Sequence, residues 1–242
     1  MVTLTLSYPS QALGRPINVR AVVPADGSGS PEAPWPALYL LHGLGGAEDC
    51  VFDFTRLSFW ARQHGLAVFC PAGENSFYVT RHDTGEDYFR MIGEELPRMM
   101  RQLFPLSRDR EDCFIGGISM GGYGALNAGY AYPQTFGKVM ALSSALRPWT
   151  RASLTTEKRA DAIFGPDKAR WDTFTLARAC AGPAPQVWMA CGSQDELLED
   201  NRDFAANATA LGLPVRLVER PGGHTWDYWN EALEEGLRFL MT

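Results

Sequence analysis

The stretch Cys113-Phe114-Ile115-Gly116-Gly117-Ile118-Ser119-Met120-Gly121-Gly122-Tyr123-Gly124-Ala125-Leu126 constrains the fold more than any other part of the chain. An apolar run leads into G-x-S-x-G, from Gly117 to Gly121, and a small-residue segment with helix-forming character follows. The pattern predicts a strand, a sharp turn carrying Ser119, and a helix. Strand and helix converge at such a turn, so the positions two residues either side of the serine must be small to avoid colliding Cβ atoms. Gly117 and Gly121 meet that need. Ser119 then lies at a helix N-terminus, where backbone N–H groups and the macrodipole favour developing negative charge. Ser119 is therefore the candidate nucleophile. A glycine-rich turn that happens to contain a serine is the bland alternative, and the strand and helix expected around it count against that.

The chain has 242 residues, enough for one domain over residues 1–242 with a substantial core. It carries 22 basic and 28 acidic residues, a formal net charge of −6. Such a surface repels phosphate backbones and anionic lipid, so neither nucleic acid nor membrane is an expected partner. No apolar run approaches the length of a bilayer span. The N-terminus alternates apolar and polar residues and lacks a basic start before an apolar block, which is not the pattern of a signal peptide. Cys50, Cys70, Cys113, Cys180 and Cys191 show neither C-x-x-C spacing nor a Cys/His cluster suited to zinc. An odd number without a framework suits a reducing compartment, so the expected location is cytoplasmic.

Along the chain, Val2, Leu4, Leu6 and Tyr8, then Ile17, Val19, Ala21 and Val23, alternate as half-buried strands and predict an antiparallel edge pair. Ala25 to Pro36 is rich in Pro, Gly and Ser and reads as an exposed loop. Ala37–Leu41 is a continuous apolar run, typical of a strand buried on both faces. His42-Gly43-Leu44-Gly45-Gly46 follows, a loop whose glycines let a backbone N–H turn toward a ligand. The Leu44 and Met120 N–H groups are the candidate oxyanion donors. His42 is a weaker candidate at the substrate site, since a histidine here more often orders its loop.

A helix is expected over Thr55 to Gln63 and a buried strand over Leu66–Cys70. The polar loop from Pro71 to Asp87 contains Asn75, Tyr78 and His82, and His82 is a second histidine that could line a cleft. Phe89, Ile92, Leu96, Met99 and Leu103 recur at helical spacing, with Pro97 set to kink or weaken that helix. The elbow helix stops near Pro133, and Lys138 to Ser143 forms another strand. Leu146 to Pro185 is the least regular region and carries Trp149, Phe164, Trp171 and Phe174. It reads as a cap-like insertion at about 146–185, or as extra packing helices away from the site. Exposed aromatics there could equally serve a homodimer or higher homo-oligomer. Tyr123 on the elbow helix and Trp149 in the insertion are further candidates for substrate contact.

Val187–Cys191 predicts a buried strand, and Gly192-Ser193-Gln194-Asp195 follows it. A carboxylate just past that strand suits the chain order Ser, Asp/Glu, His, which makes Asp195 the candidate acid over Glu196, Glu199, Asp200 and Glu219. Its bland alternative is an Asp capping the next helix, expected over Asp203–Leu211. Val215–Glu219 is the last strand. Pro221-Gly222-Gly223-His224 is the loop after it, and of four histidines His224 alone has the right order and a flexible glycine approach. The last helix aligns Trp226, Trp229, Leu233, Leu237 and Leu240 on one face, with Trp226 near enough to His224 to touch substrate.

With these residues placed, the chain resembles the esterase D family of α/β-hydrolases. That family includes S-formylglutathione hydrolases, tributyrin-type short-chain esterases, feruloyl and acetylxylan esterases, and mycolyltransferases. The resemblance runs through His42-Gly43-Leu44-Gly45-Gly46, Glu94-Glu95-Leu96-Pro97, the Gly117–Leu126 stretch and His224-Thr225-Trp226-Asp227-Tyr228-Trp229. It is nearest the tributyrin-esterase branch, and the His42–Gly46 loop departs from the one usual in S-formylglutathione hydrolases. The resemblance implies an α/β-hydrolase fold with a mostly parallel sheet and helices on both faces. It implies a serine carboxylesterase of short-chain acyl esters, a small-molecule ester as partner, no cofactor and no metal. An acyltransferase on the same triad and a non-catalytic binding protein of the same fold remain rival expectations.

Overall fold

The alternating N-terminal residues form β1 (Val2–Ser10) and β2 (Arg15–Val23), paired antiparallel around the turn at Gly14. A computed structural model of the protein describes residues 1–25 and 31–242. The loop expected over Ala25–Pro36 therefore lies partly outside the described residues. Residues 31–34 are exposed, Pro36 is half-buried, and Trp35 is buried and bridges Leu106.

The continuous apolar runs become β3 (Ala37–Leu41), β4 (Ala67–Pro71), β5 (Cys113–Ile118), β6 (Lys138–Leu142), β7 (Gln186–Gly192) and β8 (Val215–Arg220). Among the described residues they build one eight-stranded sheet in the order β1-β2-β4-β3-β5-β6-β7-β8. From β4 to β8 every pairing is parallel, and the N-terminal hairpin adds antiparallel to β4. The inner strands β3 to β6 are buried throughout, whereas the edge strand β8 is half exposed. This difference is why the inner strands read as unbroken apolar runs.

Helices cover both faces. One core layer joins Tyr39, Phe69, Met120, Tyr123, Leu126 and Phe204; the other joins Leu38, Trp60, Phe114, Trp188, Trp229 and Leu233. The helices are α1 (Cys50–Phe54), α2 (Leu57–His64), α3 (Tyr88–Arg90), α4 (Leu96–Leu103), α5 (Met120–Ala131), α6 (Glu157–Phe164), α7 (Thr173–Arg178), α8 (Leu198–Ala210) and α9 (Trp226–Leu240). No helix among the described residues is long and apolar enough to cross a membrane.

Two local expectations need correction. The helix expected over Thr55–Gln63 starts two residues later, as α2, and a separate short helix, α1, ends just before Thr55. Thr55 adopts an extended backbone, and its hydroxyl donates to the Val51 carbonyl and accepts from the Leu57 N–H, so it closes one helix and opens the next. The weakening expected near Pro97 is present, as a π-helical turn over Met91–Glu95 just before the proline that lacks the N–H an α-helix needs there. The aromatics of the 146–185 segment are not exposed. Phe164, Trp171 and Phe174 are buried, and Trp149 packs edge-on to Phe164 at 5.1 Å. They fill core space, and so give no support to an interface on that segment.

The elbow is closed by contact. A Cβ on Gly117 would overlap the Gly121 backbone, and one on Gly121 would overlap the Leu41 carbonyl. We expect Gly121→Ala to destabilise the protein by more than about 3 kcal/mol, because the obstacle is backbone in the middle of the sheet. A urea titration checks this, and an unchanged midpoint would contradict it.

Candidate active site

Ser119 joins β5 to α5 with φ 57° and ψ −113°, a left-handed backbone that a side chain rarely adopts. Its backbone groups hold it there. Its N–H donates to the Leu142 carbonyl (2.8 Å), and its carbonyl accepts from the N–H groups of Tyr123 (3.1 Å) and Ala145 (3.0 Å). The strain is thus maintained by bonds to β6 and α5.

Asp195 follows β7, and His224 stands in the loop between β8 and α9. Gly192 and Gly222 bring those two loops together, since a Cβ on Gly192 would overlap the Gly222 carbonyl. His224 Nδ1 lies 2.9 Å from Asp195 Oδ2, and Nε2 lies 3.0 Å from Ser119 Oγ. A carboxylate can only accept, so Nδ1 carries the proton and Nε2 is left to accept from the serine hydroxyl. Ser119 and Asp195 are buried, while about a third of the His224 side chain is exposed.

Burial of Asp195 works against its charge, but the hydrogen bonds from His224 and the Leu197 N–H outweigh it and hold the carboxyl below its usual range. The Leu197 N–H bond is 2.9 Å and goes to Oδ1, the oxygen His224 does not use. Asp195 thus orders the turn before α8, but it does not cap that helix, whose N-cap residue is Leu197 with no side-chain cap bond.

The Met120 N–H belongs to the first turn of α5, where no intrahelical acceptor is available. Leu44 follows Gly43, which lies against the nucleophile: a Cβ placed on Gly43 would be in van der Waals contact with Ser119 Cβ at 3.5 Å. Asn75 pins the same loop by accepting from the Gly45 N–H at 2.7 Å. Both donor candidates therefore flank the serine, beside the His224 acceptor.

A cleft of about 640 Å³ opens over Ser119 and His224. Gly43, Leu44, Ile118, Trp226 and Trp229 form its near walls, Phe54 stacks on Trp226 at 5.0 Å, and Ser153 and Leu154 reach in from the 146–185 segment. Of the five candidates for substrate contact, only Trp226 lies on this cleft. His42 is fully buried: its Nε2 accepts from the Gly73 N–H (2.8 Å), so its Nδ1 donates to the Gly43 carbonyl (2.8 Å). Burial lowers its proton affinity, and it fixes the loop as a neutral ring. The His82 ring packs over Gly165 at the end of α6. The buried Tyr123 hydroxyl donates to the Trp171 carbonyl (2.7 Å), and Trp149 rests on Phe164. Tyr123 and Asn127 instead tether the 146–185 segment to α5 through that carbonyl. Phe54, Ser153, Leu154 and Glu196 were not singled out from sequence as cleft residues. The first three lie in a short helix and an irregular segment where periodicity gives no facing.

Fold and site together define an α/β-hydrolase with a Ser–His–Asp hydrogen-bonded chain at the strand C-termini. The putative esterase family model matches residues 10–240, and the chain belongs to that family. An acetyl esterase of Caldicellulosiruptor saccharolyticus is 31% identical, with 99% of this chain and 98% of that protein covered. An S-formylglutathione hydrolase of Paracoccus denitrificans is 29% identical over 79% of this chain and 75% of that protein. Fluorophosphonate-binding serine hydrolase F of Staphylococcus aureus superposes with a TM-score of 0.88 at 28% identity, covering 100% of this chain and 98% of that one. The chain is accordingly a serine hydrolase acting on ester bonds.

Proposed function

We propose that this chain is a carboxylesterase that cleaves short-chain acyl esters of uncharged alcohols, with Ser119, His224 and Asp195 as catalytic triad. The observation that carries this is the 3.0 Å and 2.9 Å hydrogen-bonded chain opening onto the cleft. His224 takes the Ser119 proton as Oγ attacks the ester carbonyl, and Asp195 holds the imidazole tautomer and stabilises the imidazolium. The Leu44 and Met120 N–H groups receive the oxyanion, each worth about 3 kcal/mol in the transition state. Protonated His224 passes its proton to the departing alcohol. Water activated by the same ring then releases the acid from the acyl-enzyme.

Residues 1–242 act as one domain in this proposal, with the 146–185 segment as a partial cap that sets acyl length through Ser153 and Leu154. The acetyl esterase relative supports a small acyl group. Five unpaired cysteines suit a reducing cytoplasm.

The cleft wall favours an uncharged leaving group. Asp49 and Glu196 line it, and among the described residues its lining includes no lysine or arginine. Glutathione carries net negative charge, so its thioesters meet like charge on entry. We expect kcat/KM for S-acetyl-N-acetylcysteamine to exceed that for S-acetylglutathione by about tenfold at low salt, with the gap shrinking as salt rises. The two substrates share thioester chemistry and differ in leaving-group charge. Preference for the glutathione ester would move the assignment to S-formylglutathione hydrolysis. A p-nitrophenyl ester series from acetate to decanoate tests the acyl side, with the rate expected to peak at the short end.

A further inference from the structure

The 73–78 loop after β4 carries no reacting group, yet backbone strain is concentrated in it. Of the six non-glycine residues with positive φ among the described residues, three are here: Glu74 at 47°, Phe77 at 53° and Tyr78 at 55°. Left-handed backbone is a standing cost at a residue with a side chain, and such strain gathers where a site needs a fixed shape. Phe77 and Tyr78 are fully buried. The Ser76 hydroxyl holds the turn, donating to the Gly73 carbonyl at 2.6 Å and accepting from the Tyr78 N–H at 3.0 Å. The Tyr78 ring lies so close to Gly73 and to Gly124 of α5 that a Cβ on either would overlap it. The loop is thereby fixed against the helix that begins after Ser119.

From that anchorage it holds the two peptide units on either side of Leu44. In a trans peptide the C=O and N–H point opposite ways, so fixing one aims the other. The first unit joins Gly43 to Leu44. Its carbonyl accepts from His42 Nδ1 at 2.8 Å and from the Gly46 N–H at 3.1 Å, and its N–H is the Leu44 oxyanion donor. His42 donates from Nδ1 because its Nε2 accepts from the Gly73 N–H at 2.8 Å, which selects that tautomer. The second unit joins Leu44 to Gly45, and its N–H donates to Asn75 Oδ1 at 2.7 Å. The Tyr78 hydroxyl adds a bond to the His42 carbonyl at 3.2 Å. Gly73, Asn75 and Tyr78 all belong to the strained loop.

We propose that the 73–78 loop aims the Leu44 N–H at the reacting carbonyl oxygen, with Asn75 and His42 as its positioning residues. This rests on the assignment of Ser119 and Leu44 above. Gly43, Leu44, Gly45 and Gly46 line the cleft and Asn75 does not, so Asn75 acts through the glycine loop and touches no substrate. An oxyanion donor is effective because it is already aimed when charge develops on the substrate oxygen. Three glycines in four positions, with Gly45 at φ 75°, give the donor loop little stiffness of its own. The bonds from outside supply it. Losing the Asn75 acceptor therefore weakens stabilisation of the oxyanion and leaves substrate binding alone.

The test uses Asn75→Ala, which deletes the acceptor, and Asn75→Asp, which keeps an oxygen in its place. Asn75 is half-buried, so neither change opens the core, and thermal unfolding checks this. The readout is the ratio of kcat/KM for p-nitrophenyl acetate to that for its thiono analogue, each divided by its rate with hydroxide. In the thionoester the developing charge sits on sulfur, a larger atom and a poorer acceptor, so the oxyanion donors contribute little. In Asn75→Ala we expect kcat on the oxygen ester to fall about 10- to 100-fold with KM within about twofold of wild type, short of the full loss of a donor. The thionoester rate should stay within about twofold, so the ratio drops at least about fivefold. Asn75→Asp should keep most of the wild-type ratio.

A folded Asn75→Ala with the wild-type ratio overturns the proposal. So does equal slowing of both substrates, which is what general loosening of the site would give, and so does an Asn75→Asp ratio no better than that of alanine. In each of these cases Ser119-dependent turnover by wild type leaves the triad reading standing. If wild-type turnover does not depend on Ser119, that reading fails and takes this inference with it. A wild type with no preference for the oxygen ester removes the Leu44 assignment itself.

Discussion

Ser119→Ala should lower kcat on ester substrates by on the order of 10⁵–10⁶-fold, because the triad acts as a unit and little remains once its nucleophile is gone. The fold should persist. Alanine meets the same left-handed backbone cost at φ 57° as serine does, and the bonds to the Leu142 carbonyl and from the Tyr123 and Ala145 N–H groups use backbone atoms that the substitution retains. His224 Nε2 loses its partner, but the ring is partly exposed and water can replace it. The expected pattern is therefore a nearly unchanged melting temperature, a substrate KM close to wild type and a residual rate due to the oxyanion donors. Near-normal turnover in this variant would remove Ser119 from the mechanism.

Asp195→Asn should cost about 10⁴ in kcat through the imidazole tautomer. The carboxylate accepts from both His224 Nδ1–H and the Leu197 N–H. An asparagine has one carbonyl oxygen for those two donors, and its amide nitrogen can only donate. If the oxygen keeps the buried Leu197 N–H, the amide faces Nδ1 as a donor, and the ring must carry its proton on Nε2. That nitrogen can then no longer take the Ser119 proton. The loss should appear in kcat with KM little changed, and turnover within tenfold of wild type would show that Asp195 is not the orienting acid.

Much of this architecture was legible because the sheet is buried on both faces. Ala37–Leu41, Cys113–Ile118 and Val187–Cys191 had to read as unbroken apolar runs, and the edge pair β1–β2 had to alternate. The elbow was legible because steric collision at Gly117 and Gly121 leaves one residue type. The chain order of serine, acid and histidine narrowed many carboxylates to Asp195 by position.

What was not legible depends on side-chain direction in irregular segments. The histidine after β3, a weaker candidate for the cleft, has both nitrogens tied to Gly73 and Gly43, the loop-ordering role its position favoured. Tyr123 lies four residues after the nucleophile, yet one helical turn on it points into the core and holds the Trp171 carbonyl. Phe54 and Leu154 enter the cleft from segments with no periodicity to assign a face. Thr55 stands outside the helix expected to begin at it because its hydroxyl bonds back to Val51 and forward to Leu57, a local pattern that apolar spacing does not report.

The central claim is that Ser119 is the group that becomes acylated. Reaction of the wild-type chain with a fluorophosphonate, followed by peptide mass spectrometry, tests it most directly. The account predicts a single adduct, on the peptide bearing Ser119, at one per chain, and no adduct in Ser119→Ala. An adduct on any other residue, or no adduct on the folded wild-type protein, would contradict it.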